Sequence, residues 1–507
     1  MNRPVALALA LAAAGGACCP TIPRETAPTP VADPTPDPTP DPTPDPTPGD
    51  DGVPWQAAGI DWSQPPPALP DPGFTPPIPT EFTMANGIRV LVVENRRLPL
   101  VSVRVAIRHA GSRADGAAAG LAAMTADLLD EGAGPWTSET LPEELERLGA
   151  SLTVAAGQDY AQLTLDSLAE TLAPSLAVAA AVLTKPRLTA DDVARVKAER
   201  LADLALRPDQ PRAIASAAFG RLVFGRHPYA TPTTGDVATV SKLGKADVER
   251  FFRATYGPAA ATVVVVGDVE VAAVRRLLEQ QLGGWSNKVA VVKPPAAPVA
   301  GKPTLGIVDR PGAPQSVVVL GRLGPSVADP NQPANELVNL AIGGSFASRL
   351  NSELREKKGY TYGISSSFVR AEWAGTWRVG SSIRTDATGP ALRDILTILD
   401  GARTPMPAAE LAKAKALAIR SLPQDFETNA GIAGAYLTVA MERRPLTYYR
   451  DLPGQLAAVT AEGAAAAAES WRDLSIVVVG DWAAIGKDLE SLGLPIVRLD
   501  ADGWPRK

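Results

Sequence analysis

Short runs of branched apolar residues and long alanine-rich stretches divide this chain between them, and the two kinds of run predict different elements. Residues 87–94 are β-rich, and residues 98–108 alternate apolar and polar positions as a half-buried strand does. Residues 117–129 are rich in Ala and Leu, interrupted only by Gly120, and predict a buried helix. A second helix is expected over 142–148, opened by Pro142 in its first turn. Strands are predicted at 151–154 and 160–165, and long Ala-rich helices at 168–182 and 190–206. The stretch closes with a valine run, Ala261 to Gly267-Asp268, and an amphipathic helix to Leu282.

The plan then returns. Ser475 to Gly480-Asp481, with a helix over 482–492, echoes the end of the first half, and strands at 305–309 and 316–323 precede a helix at 332–340. Strand–Gly–Asp–helix endings in the same order of elements argue for an internal duplication. The expected division is a signal peptide at 1–17, a Pro-rich tether at 18–80, an N-terminal domain at 81–287, a linker at 288–303 and a C-terminal domain at 304–507. The fold class is α+β: two homologous halves, each an antiparallel sheet packed with helices.

Composition narrows the chemistry. The chain has 507 residues, a formal net charge of -6 and no basic stripe, so nucleic acid is not an expected partner. Only two histidines, His109 and His227, and two cysteines, Cys18 and Cys19, are present, too few for a Cys/His zinc cluster. Neither histidine has a second ligand residue at metal spacing, so structural or surface roles are expected of both. Arg3 followed by the apolar run Val5 to Ala14 and small residues reads as an export signal, too short to span a bilayer. Cys18 then stands where a bacterial lipoprotein is lipidated, although Gly15 replaces the usual Leu; which of Cys18 and Cys19 would carry lipid stays open. The Asp-Pro-Thr-Pro repeat from Asp33 to Pro48 would space the body from such an anchor at about 3 Å per residue. The expected place is the bacterial cell envelope, lipid-anchored, facing the periplasm or the cell surface.

Several motifs, in order, resemble the pitrilysin/insulinase peptidases. They are Asn86-Gly87-Ile88 before a strand, Gly120-Leu121-Ala122 opening a helix, and Gly225-Arg-His-Pro-Tyr229 running through to Gly235. Tyr256-Gly-Pro258 before the valine run, and Ser348-Arg349-Leu350 leading through Leu354 to Tyr362, complete the set. The resemblance covers about residues 80–495 and implies two halves facing each other as a clam shell around unfolded peptide. Active members carry H-x-x-E-H after Gly-Leu-Ala, with two His on one helix face binding zinc and the Glu acting as general base. Here those five positions are Ala123, Met124, Thr125, Ala126 and Asp127. The family's third ligand falls near Asp203. Asp127 and Asp203 cannot replace two imidazoles and a base; a hard cation wants more oxygens, so both are expected to be solvated or paired.

The resemblance further implies that Arg355 and Tyr362 match the family's Arg/Tyr pair, whose donors bind a substrate carbonyl or developing oxyanion across from the zinc. It therefore points to a chain without catalytic or metal residues of its own, with zinc only on a homologous partner subunit to which it lends Arg355 and Tyr362. The alternative is an envelope module that binds peptide or protein without proteolysis. No Ser/His/Asp or Cys/His arrangement and no phosphate loop suggests another chemistry.

Overall fold

The computed structural model describes residues 73–289 and 293–506. Cys18, the signal segment and the repeat lie outside them. Two six-stranded sheets form the frame. The first comprises β1 (Thr80–Thr83), β2 (Arg89–Glu94), β3 (Leu100–Arg108), β4 (Ser151–Ala156), β5 (Tyr160–Leu168) and β6 (Ala261–Gly267), in the order β1-β2-β6-β3-β5-β4. The second comprises β7 (Leu305–Asp309), β8 (Gln315–Gly324), β9 (Thr361–Val369), β10 (Gly375–Arg384), β11 (Ser475–Gly480) and β12 (Ile496–Arg498), in the order β12-β7-β11-β8-β10-β9. From β2 and β7 onward the two orders correspond strand for strand. The second and third strands of each sheet form a parallel pair, β2 with β6 and β7 with β11, as a duplicated unit would, and the second sheet adds β12 parallel to β7.

The valine runs explain how the halves join. Every residue of β6 and of β11 is buried, which an alternating side-chain direction permits only if both sheet faces are covered. Val263 and Val265 enter the core of the first half, while Val264 and Val266 pack on Ile432, Ala433 and Tyr436 of the helix Asn429–Met441, which belongs to the second half. The exchange is reciprocal. Ile476 and Val478 enter the second core, and Val477 and Val479 pack on Ile214, Ala215, Ala218 and Phe219 of the helix Pro211–Phe224 from the first half.

Helix exchange also corrects the reading of β3 as half-buried. Seven of its residues, Val101 to Ile107, are buried. Its polar face lies under the exchanged helix: Ala106 joins the cluster around Tyr436, and Arg104 is neutralised by Asp166 on β5 at 3.1 Å. The predicted helix at 168–182 begins later, at Leu172, because β5 runs on to Leu168 in register with β3. Among the described residues no helix is long and apolar enough to cross a membrane.

A buried charge cluster bolts the halves a second time. The loop between β9 and β10 carries Glu372, whose carboxylate binds Arg113 at 2.5 Å, Arg108 at 3.2 Å and Arg443 at 3.0 Å. Asp159 completes the set, bonding Arg113 at 3.2 Å and accepting from the backbone N–H of Glu372 at 2.8 Å. Three guanidiniums around Glu372 hold its carboxyl below its ordinary range against the cost of burial. Trp373 stacks on Tyr229 and lies under the Arg113 guanidinium.

If each sheet needs the other half's helix, the halves should unfold together. Phe219, only 2% exposed, reaches across to the second sheet. Phe219→Ala should therefore cost about 3–5 kcal/mol and shift one shared urea transition seen by probes in both halves. Two separate transitions, with only one displaced, would contradict this.

Candidate functional site

The helix Leu121–Leu129 carries the motif positions, and its start is closely specified. Gly120 has φ +92° and sits so tightly that a Cβ would lie 2.9 Å from the Thr234 carbonyl oxygen. Gly235, at φ +73°, packs against it from the opposite side, where a Cβ would meet the Ala119 carbonyl oxygen at 2.4 Å. The two glycines of separate motifs are thus one contact. The helix N-terminus is held by Asp115, whose carboxylate accepts from the N–H groups of Gly120 at 2.9 Å and Ala122 at 2.7 Å. Burial nonetheless pushes the Asp115 carboxyl up to about 7, and Asp130, past the helix end, to about 6. Sequence reading missed Asp115; an Asp five residues before Gly-Leu-Ala was the available signal.

At the motif positions Ala123 and Ala126 are buried methyl groups, 7% and 0% exposed. Asp127 is the one carboxylate among them and forms a hydrogen-bonded ion pair with Arg200 of the helix Ala190–Ala205. Zinc needs about four lone-pair donors. Two methyl groups supply none, and the Asp127 oxygen is already engaged by a cation. Among the described residues, no group of three or more His, Cys, Asp or Glu side chains could hold a metal ion. The residues present do not fit zinc.

Asp127 opens into a cleft of about 870 Å³ between the halves. One wall bears Asp127, Glu131, Glu199 and Asp203; across from it stand Val369, Thr376 and Arg378 of the second sheet. Arg195 pairs with Glu131 and, at 3.0 Å, with Glu199. Arg207 holds the loop above by donating to Thr234 Oγ1 at 2.7 Å and the Gly235 carbonyl at 3.0 Å.

Arg355 and Tyr362 are not brought to this cleft. Arg355 lies in a wide helical turn, Ser352–Lys357, and Gly359 at φ +61° swings the chain into β9, which starts beside Tyr362. Tyr362 is 93% exposed, at the end of the sheet's edge strand opposite to Val369. The Arg355 guanidinium lies 4.3 Å over the ring of Phe346, itself 70% exposed, and 3.4 Å from Glu356. Phe346, between the second half's glycine pair and Ser348, escaped the sequence reading.

The histidines are placed elsewhere. His109, at φ +79°, lies with Nδ1 3.0 Å from an Arg113 nitrogen, and burial with that positive charge lowers its pKa. His227 caps a turn, its Nδ1 accepting from the Tyr229 N–H at 3.2 Å.

Two mixed sheets joined by exchanged helices, with a motif helix facing an intervening cleft, define a two-domain peptidase-like fold. Residues 89–229 match the family model described as insulinase (peptidase family M16), and residues 242–417 match the peptidase M16 inactive domain. The chain belongs to peptidase family M16. An uncharacterised zinc protease of Mycobacterium bovis is 26% identical over 345 residues, covering 66% of this chain and 78% of that protein. The non-peptidase homolog YmxG of Helicobacter pylori is 23% identical over 294 residues, 57% of this chain and 66% of that one. Among solved structures, a peptidase M16 inactive domain from Pseudomonas fluorescens superposes with a TM-score of 0.75 at 28% identity, covering 80% of this chain and 98% of that one. A Helicobacter pylori protease shares the fold at 20% identity, with a TM-score of 0.74 over 80% of this chain and 99% of that one.

A carboxyl whose folded pKa is raised stabilises the fold at low pH and loses that contribution as pH rises through the folded value. For Asp115 the loss runs upward from the ordinary carboxylate range and is nearly complete once the pH passes about 7. Between pH 8 and pH 6 the protein should therefore gain about 1 kcal/mol relative to Asp115→Asn, read from paired urea titrations. A stability difference that does not change with pH would remove the assignment.

Proposed function

We propose that this chain is a non-catalytic member of its family that works as one subunit of a two-chain zinc peptidase, binding peptide and presenting Arg355 and Tyr362 to a zinc site on a homologous partner. The observation that carries this reading is a separation. The motif helix presents methyl groups at two of the positions where imidazoles and a general base would stand, while Tyr362, which is exposed, and Arg355, which is half-buried, both lie outside the chain's own cleft. Donors that do not line their own cleft are placed to act on a group supplied from outside. Arg offers a planar fork and Tyr a rigid hydroxyl, both suited to a carbonyl gaining negative charge. The match to a model described as an inactive domain, and a relative named a non-peptidase homolog, support the same reading. Other relatives carry zinc protease names, which describe those proteins.

Zinc, on this reading, resides in the partner. Export and lipid attachment through Cys18 would place the pair at a membrane surface of the cell envelope. A second reading, peptide capture without cleavage, rests on the cleft of about 870 Å³, lined by Asp203 and Arg378 as well as by the paired carboxylates.

Mixed with a homologue bearing H-x-x-E-H, the chain should raise cleavage of an unfolded peptide. In that mixture Arg355→Ala should lower kcat about 10²–10³-fold, and Tyr362→Phe by a smaller factor, in a steady-state fluorogenic assay. Unchanged activity of both variants would defeat the donor assignment. Peptide binding by the isolated chain, with no stimulation of any zinc-bearing homologue, would favour the capture reading.

A further inference from the structure

The motif helix lacks a metal set, yet its carboxylate is not left bare. Arg200 reaches from the helix Ala190–Ala205 and pairs with Asp127, one turn along the same helix from Asp203. Its side chain is only 11% exposed, and its Nε is buried without a hydrogen-bond partner. The pair is buried at the arginine end, while the Asp127 side chain is 43% exposed to the cleft, so it differs from a surface pair with both ends in water. Arg200's charge also acts on Asp115, the residue that holds the start of the motif helix, and draws that carboxyl down against its burial. The guanidinium thus pairs with Asp127, four residues after Ala123 on the same helix, and its charge is felt at Asp115. Asp203 and Glu199 add negative charge on the same wall and oppose ionisation of Asp127. Three carboxylates and two methyl groups leave both a charge to balance and a space to fill. A long stem ending in a fixed cation does both.

We propose that the Arg200 guanidinium occupies the place of the absent zinc, so that an internal cation rather than a metal ties the 121–129 helix to the 190–205 helix. The substitution is one of charge and position, not of chemistry. A guanidinium has no vacant orbital for a carbonyl and does not generate hydroxide from water, so the site keeps its architecture and gives up Lewis acidity. It also resists reversal, since a metal and the guanidinium would compete for one space.

Two measurements on the full chain test this. In a double-mutant cycle, Arg200→Met keeps most of the stem and removes the charge. It should lower the Tm by on the order of 5 °C, and combining it with Asp127→Ala should lower the Tm no further than the worse single variant. A neutral Arg200→Met, or strictly additive effects, would overturn the proposal. The second measurement restores the motif with Ala123→His, Ala126→Glu and Asp127→His, and titrates zinc calorimetrically with Arg200 retained and with Arg200→Ala added. Removing Arg200 should tighten zinc binding about tenfold or more. Equal zinc affinity in the two backgrounds would show that the guanidinium does not hold the metal's place. Should the restored variants fail to fold, the thermal cycle still decides the question.

Discussion

The structure rests on the need to bury two valine strands on both faces. β6 and β11 each lie third in their sheets, inside β2 and β7, and carry branched apolar side chains in both directions. A half of this size folding alone would leave one face of each sheet in water. Exchange of the helices Pro211–Phe224 and Asn429–Met441 removes that exposure with one move, applied twice. The Arg113–Asp159–Glu372 cluster follows from it, because the β9–β10 loop is brought against the first sheet and its carboxylate must be neutralised there.

That packing decides what the chain can do with its remaining polar groups. The cleft between the halves is walled by elements that also make the interface, so its shape is tied to the fold. Glycines at 120 and 235, the Asp115 carboxylate and the Arg200–Asp127 pair hold the motif helix from its start to its last turn. At the outer edge of the second sheet, Tyr362 and Phe346 face solvent, and Arg355 lies over the Phe346 ring beside Glu356. One region is built as an internal support and the other as a surface for something else. The proposed division of labour between two chains is the functional form of that contrast.

Much of the fold was legible in the sequence because the strands are punctuated and strongly patterned. The valine runs, the Gly-Asp endings and the strand predicted at 160–165 all appear at their expected places. The exchanged helices were not. Asn429–Met441 is apolar nearly all round, so it shows no periodic face, and nothing local says which sheet it will cover. For the same reason β3 read as half-buried, since its cover comes from residues more than 300 positions away. At the site, Ala123, Ala126 and Asp127 could be named from their place after Gly-Leu-Ala. Arg200 could not, because a charged residue on an exposed-looking helix carries no mark of the carboxylate it will meet across a fold. Arg355 and Tyr362 were named as a pair from spacing and resemblance, but the exposure of Tyr362 and the ring of Phe346 beneath the Arg355 guanidinium are tertiary facts.

The central claim is that this chain has no zinc chemistry of its own. The most direct test is to measure zinc content and cleavage of an unfolded peptide on the same purified sample, with and without a chelator. The account predicts substoichiometric zinc and no chelator-sensitive turnover. One equivalent of tightly bound zinc with peptide cleavage abolished by chelation would contradict it.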